Sequence, residues 1–243
     1  MDFDIIVTSL PKLVDGLGVT VQLTGLALII GICIAVPLAL LRVSKNPLLW
    51  MPVYLYAFYF RGTPLLVQLF LVYYGAGQFR EALQDVGLWT LFREAWFCAL
   101  LTLTLNTAAY TVEILRGAIQ AVPAGEIEAA RACGMSRGLL YRRIILPKAA
   151  RIALPAYGNE VIFLFQATSI VSIITIMDLT GVARVIVART FDVYEIYITA
   201  GLMYLAVTYG IVGVFKLVER RIYRHMRPRR ETSAAPQLAG QAG

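Results

Sequence analysis

Two ionisable residues stand out by where they lie. Arg61 borders the uncharged run Gly62–Phe79, and Glu160 borders the uncharged run Val161–Met177. Glu160 is nine residues beyond Arg151, about 13 Å along a helix that rises 1.5 Å per residue. Arg61 is eleven residues beyond Trp50, a similar depth from the same side if both stretches are helical. Ionised groups at membrane depth are costly and face a partner or a solute path. Two chemistries fit: a buried ion pair between Arg61 and Glu160, or a Glu160 carboxylate that meets a cationic solute. Uncharged polar residues add to the set. Thr102, Asn106 and Tyr110 recur at helical spacing with Glu113 as one stripe, and Asn159, Gln166 and Ser169 make a looser one. Such groups bond between helices or line a path. Glu113 has Arg116 three residues on and is expected to pair with it.

Covalent catalysis has no such support. HExxH, paired aspartates and a Ser/His set are all absent from the sequence, which leaves a membrane-embedded enzyme as a weak alternative. No G-x-x-x-x-G-K-[ST] loop occurs, so the chain cannot cradle ATP phosphates in that way. Cys33, Cys98 and Cys133 lack metal-ligand spacing, and His225 is the single histidine. Neither a metal site nor a disulfide is expected. Energy for any transport must come from a partner or an ion gradient.

Composition names the elements that hold these residues. The chain has 243 residues, 59% hydrophobic and 15% charged, against about 25% charged in ordinary soluble domains. Soluble, disordered and disulfide-scaffold classes are disfavoured together. Uncharged runs cover Gly16–Leu41, Gly62–Phe79, Ala95–Val112, Val161–Met177 and Ile196–Phe215. A helix needs about 20 apolar residues to cross the hydrocarbon core. The expectation is an all-α integral membrane protein with five transmembrane helices, near residues 17–41, 51–76, 95–115, 152–177 and 196–216. These belong to one domain, residues 1–225, with a loop at 117–150 and a tail at 226–243 that is basic and then disordered. The first run is too long for a signal-peptide core and has only Lys12 before it as a base, so it is expected to stay as a helix.

Charge sets the expected orientation. Residues 116–151 carry seven Arg/Lys against two acids, and residues 216–243 again seven against two. The segments 1–15, 78–94 and 178–195 each carry three acids and one or two bases. By the positive-inside rule the N-terminus is outside and the C-terminus inside. The net charge of +7 is then a membrane anchor facing anionic lipid rather than a nucleic-acid surface. An odd number of spans without an internal repeat does not divide into inverted halves. The chain reads as one subunit of a larger pore, with an ion-coupled homodimeric carrier as the alternative.

The loop before the fourth span is the most specific segment. Val122–Gly134 reads as a short helix: Pro123 suits its first turn, Glu126 and Glu128 oppose its positive end, and Gly134 stops it. Ser136 suits the cap of a second helix, and Pro147 is expected to open the next span. Spacing of three and four puts Glu126, Ala129, Ala130 and Cys133 on one small-sided face. A docking surface is preferred over a solvated linker.

Glu128-Ala129-Ala130, three residues, Gly134, nine residues, then Ile144-x-Leu146-Pro147 resembles the EAA signature of bacterial ABC-importer permeases. Arg61-Gly-Thr-Pro-Leu65, Leu105-Asn-Thr-Ala-Ala-Tyr-Thr111, Glu113-Ile-Leu-Arg-Gly117 and Leu154-Pro-Ala-Tyr-Gly-Asn-Glu160 resemble the polar amino acid group of that family. Within it the chain is most similar to M-type subunits of histidine and octopine-type systems. The resemblance covers about residues 10–225. It implies a multi-pass subunit of the bacterial inner membrane that carries a polar, basic amino acid or opine. Its partners would be a homologous permease subunit (heterodimer or homodimer), two ATP-binding subunits, a periplasmic solute-binding protein and membrane lipid. ATP and Mg would sit on the partner ATPase, with no cofactor on this chain and no nucleic acid. The docking set would be Glu126, Glu128, Ala129, Ala130, Cys133, Gly134, Ile144, Leu146 and Pro147. The candidate solute path remains Glu160, Asn159, Asn106, Thr102, Tyr110, Arg61 and Gln166.

Overall fold

The computed structural model describes residues 3–222, all of whose regular elements are helical. The basic tail expected at 226–243, with His225, lies outside the described residues. In chain order the helices are α1 (Phe3–Arg42), α2 (Pro47–Gly62), α3 (Leu65–Tyr73), α4 (Arg80–Asp85), α5 (Trp89–Phe92) and α6 (Ala95–Gln120). They continue with α7 (Ala124–Ala132), α8 (Arg137–Leu140), α9 (Leu146–Ala167), α10 (Leu179–Thr190) and α11 (Val193–Ile222). Four stretches are long and apolar enough to cross a membrane: Asp4–Arg42, Ala95–Gln120, Arg137–Ile174 and Val193–Ile222. The apolar pair Pro47–Gly62 and Leu65–Asp85 makes a fifth if it counts as one span.

That pair corrects the expectation of a single helix over 51–76. The two halves meet at 105°. Thr63 is extended, with φ −117° and ψ 147°, as a residue before proline prefers. Pro64 has no N–H to continue the ladder. Pro147 stands in the first turn of α9, as expected, but α9 does not start apart from α8. Arg137–Ile174 runs on as one stretch, with a π-turn over Tyr141–Ile145 in which Leu146 N bonds Tyr141 O five residues back. The wider turn leaves room for the proline ring where an α-turn would clash. Residues 178–195, expected as an acidic outside segment, hold α10 and the start of α11. Asp178 is fully buried and caps α10, accepting from Gly181 N at 2.9 Å and Thr180 N at 3.3 Å. Leu179 N donates to Thr20 Oγ1 of α1 at 3.1 Å, so the helix start is pinned to α1.

Helix α6 is central and packs against α1, α2, α3 and α9. Its buried face is Ala, Thr and Val for much of its length: Ala99, Thr102, Thr107, Ala108, Ala109 and Val112. Small residues let backbones approach closely when no hydrophobic drive separates helix from lipid. Gly31 of α1 shows how close. A Cβ built there would lie 2.8 Å from Thr107 Cγ2. Gly18 on the same helix has nothing within 4 Å of such an atom.

This contrast predicts stability. Gly31→Val should lower the melting temperature of the purified protein in detergent, at a cost of about 1–3 kcal/mol from overpacking. Gly18→Ala should leave it unchanged or raise it, by up to about 1 kcal/mol from lost chain entropy. Equal melting for the two would show that α1 and α6 do not meet this closely.

Candidate functional site

The break in the second apolar stretch creates the most polar point within the bundle. Carbonyls at the end of α2 lose their helical partners there, and two side chains replace them. Gln68, 2% exposed, donates through Nε2 to Phe60 O at 2.8 Å, Thr63 O at 3.0 Å and Thr63 Oγ1 at 2.8 Å. Asn106 of α6 donates through Nδ2 to Phe60 O at 3.2 Å and to Gln68 Oε1 at 2.9 Å. Tyr56 adds a second tie, its hydroxyl donating to Leu105 O at 2.6 Å. Asn106 was on the polar stripe read from the sequence. Gln68 was missed, although an amide four residues after Pro64 in an otherwise apolar run was the available signal.

A cavity of about 450 Å³ opens beside this clasp. It is lined by Thr63, Pro64, Asn106, Tyr110 and Glu160 among polar or turn residues, with Leu65, Phe163, Leu164 and Ala167 as its apolar walls. Glu160 is 8% exposed and accepts from Thr107 Oγ1 at 2.9 Å. Of the two chemistries open for Glu160, the contact ion pair with Arg61 is not made, although the guanidinium is near enough to act on the carboxylate through space. Arg61 instead lies over the Tyr110 ring, its guanidinium carbon 5.4 Å from the centroid, a cation–π contact. Tyr110 belongs to α6, so the guanidinium at the end of α2 is held against the central helix. One anion therefore faces the cavity without a cation in contact, across from an aromatic ring that carries one.

The other path candidates separate. Thr102 is fully buried and spends its hydroxyl on Cys98 O of its own helix at 2.8 Å. Asn159 lines a different, smaller cleft with Phe215, Lys216 and Glu219 of α11. Gln166 is exposed and outside the lining set. Glu113 pairs with Arg116, as its spacing predicts, at 2.7 Å, and also with Arg42 of α1 at 3.0 Å. Among the described residues no three of His, Cys, Asp and Glu converge as a metal site requires.

On the side of α6's C-terminal end, α7 folds as its end signals require. Pro123 takes the N-cap position with φ −56° and ψ 130°. Gly134 turns with φ +77°, a left-handed conformation that side chains oppose. Ser136 Oγ accepts from Leu139 N at 3.4 Å and caps α8. Glu126, Ala129, Ala130 and Cys133 share one face, and that face lines a groove of about 580 Å³ whose opposite wall includes Arg143, Ile144, Pro147 and Lys148. Lys148 bonds Glu126 across it. Glu128 is exposed on α7, and Leu146 is half-buried in the shaft. Ala130 also packs with Ala118, Ile119 and Val122 below α6 and with Ala149 and Ala153 of α9. The unit is thus fixed to the bundle by its apolar side.

The chain matches a family model described as the binding-protein-dependent transport system inner membrane component, over residues 27–224. It is 50% identical over 229 residues to the nopaline transport system permease protein NocM of Agrobacterium fabrum, covering 94% of this chain and 95% of that protein. It is 43% identical over 213 residues to the histidine/lysine/arginine/ornithine transport system permease protein HisM of Escherichia coli strain K12, covering 88% and 90%. Among solved structures, an amino acid ABC transporter crystallised with histidines aligns with a TM-score of 0.80 and 36% identity, over 91% of this chain and 99% of that one. An inward-facing MetNI methionine ABC transporter aligns at 0.66 and 19% identity, over 85% and 92%, a likeness of fold.

The clasp at the break makes its own prediction. Gln68→Leu keeps the volume and removes the donor, so the carbonyls of Phe60 and Thr63 lose bonds in an apolar setting, at about 1–3 kcal/mol for each group left bare. Thermal unfolding should fall accordingly, and Gln68→Glu, which cannot donate when ionised, should not restore it. A Gln68→Leu protein as stable as the parent would show that the break needs no such support.

Proposed function

The chain belongs to the family of inner membrane components of binding-protein-dependent transport systems, and on that premise we propose that it is a permease subunit of an ATP-driven importer that brings a basic amino acid or opine into the cytoplasm. The family is a transport component and not an enzyme, and the fold is that of the ABC-importer permeases. What carries the ATP-driven reading is the α7–Gly134–α8 unit: a capped helix with an exposed acid, Glu128, a small-sided groove, and an apolar side fastened to α6 and α9. A linker needs none of these. With no phosphate-binding loop of its own, the chain takes its energy from partner subunits that hold ATP and Mg.

The docking residues are Glu126, Glu128, Ala129, Ala130, Cys133, Gly134, Ile144, Leu146 and Pro147, which surround or shape that groove. The solute passes Glu160, with Asn106, Tyr110 and Arg61 beside it. A buried carboxylate whose contact is a neutral hydroxyl favours the ammonium or guanidinium of arginine, ornithine or lysine, or the imidazolium of histidine. The names of the relatives agree with this class: nopaline for one, histidine, lysine, arginine and ornithine for another. The complete assembly contains this chain, a homologous permease subunit, two ATP-binding subunits and a periplasmic binding protein, in the bacterial inner membrane. The basic segments face the cytoplasm, so the N-terminus is outside and the C-terminus inside.

Two measurements test this. In intact cells an impermeant thiol reagent should label a cysteine at Gln78 and not one at Arg137, and the reverse pattern would overturn the orientation. Affinity-purified subunit should bring ATPase subunits with it, and Gly134→Val, strained by about 1 kcal/mol or more at a positive φ, should insert normally yet lose them. Full transport without any bound ATPase would point instead to an ion-coupled homodimeric carrier.

A further inference from the structure

Three helices meet at one carboxylate on the α7 side of the bundle. Glu113 of α6 accepts from Arg42 Nε at 3.0 Å and from Arg116 Nε at 2.7 Å. The side chains are 13%, 15% and 30% exposed respectively. Arg42 ends α1, and its guanidinium carbon lies 5.5 Å from the Trp50 ring centroid and 5.0 Å from that of Tyr54, both on α2. Arg116 continues the chain of bonds, donating through Nη1 to Gln120 Oε1 at 2.9 Å. Gln120 is the last residue of α6, and α7 begins at Ala124. Glu113 also lines a small cavity of about 250 Å³ with Tyr54, Ala57, Phe58, Arg61 and Gly62. The same carboxylate therefore stands beside the end of α2, next to the break that shapes the Glu160 cavity.

Apolar packing sets how closely these helices approach, as at Gly31, but supplies no directional bond between them. Charge-assisted bonds to a carboxylate fix distance and direction together. Here they join Arg42, which ends α1 and lies over the Trp50 and Tyr54 rings of α2, to Glu113, Arg116 and Gln120 on the last turns of α6, the helix that leads into α7.

We propose that Glu113 is a positioning residue for transport: by holding Arg42 it ties α1 and the first half of the broken span to the last turns of α6, which lead into α7, so that displacement of α7 moves the wall of the cavity at Glu160. This rests on the reading of α7 as the ATPase-docking element. Glu113 touches neither solute nor nucleotide. Its part is to make the movement of one end arrive at the other.

The test uses the complete importer, with its ATPase and binding-protein subunits, in proteoliposomes, where solute uptake and ATP hydrolysis are measured together. Glu113→Gln and Arg42→Gln should each retain the bound ATPase and its basal hydrolysis, and each should lower the solute carried per ATP by at least about fivefold. The double variant should be no worse than either single one, because both remove the same link. A parental uptake-to-hydrolysis ratio in both single variants would overturn the proposal. Should Glu113→Gln fail to assemble, Arg42→Gln decides by the same ratio, since it leaves the Glu113–Arg116 pair in place. Failure of the docking reading is separate: Gly134→Val would then keep its ATPase, whatever the ratio in the Glu113 variant.

Discussion

A polypeptide that breaks its helix among apolar surroundings must find partners for the carbonyls it exposes, and here that need organises the bundle. Between α2 and α3 the extended Thr63 and the N–H-less Pro64 turn the chain through 105°. Gln68 and Asn106 supply the donors that water would supply elsewhere. Because Asn106 belongs to α6, the break is tied to the central helix and not merely tolerated. The direction of α3, the cavity beside it and the placing of Arg61 against Tyr110 all follow from that clasp. Glu160 keeps a hydroxyl as its hydrogen-bond partner, with no cation in direct contact, which is the chemical fact on which the solute reading rests.

The same bundle reaches beyond its apolar spans by continuity. One stretch runs from Arg137 to Ile174, so the second limb of the α7 unit and the helix that carries Glu160 are mechanically one rod. The π-turn at Tyr141–Ile145 lets Pro147 sit within that rod. Along the neighbouring helix, α6 carries Asn106 and Thr107 at the cavity and Glu113 nearer the stem of α7. Two rods therefore join the docking unit to the solute path, and the ion pairs at Glu113 fasten α1 to the second of them.

How much of this the chain announces depends on whether the cause is local. The ends of α7 and α8 were legible because caps and a left-handed glycine act within a few residues: Ser136, Gly134 and the acids near Pro123 each do what their chemistry requires. The long helices were legible from where charges are absent. The break was marked by Gly62-Thr63-Pro64, but its angle depends on Asn106, 38 residues from Gln68. Which of the two chemistries open for Glu160 holds was not legible for the same reason, since depth along a helix says nothing of rotation about it. A charge count over residues 178–195 could not show that Asp178 spends its charge on capping α10 inside the bundle. The π-turn left no trace except Pro147 itself.

The central claim is that Glu160 serves the solute and not the fold, and uptake by the reconstituted importer measures it most directly. Glu160→Gln keeps the shape and the bond to Thr107 while removing the charge. Uptake of arginine or lysine should fall about tenfold or more, as expected for loss of a charge-assisted bond, with the melting temperature near that of the parent. Arg61→Gln alone should leave that melting temperature unchanged. If Glu160→Gln were instead destabilised, and stability returned when Arg61 was also changed to Gln, the two would form the structural pair that this account denies.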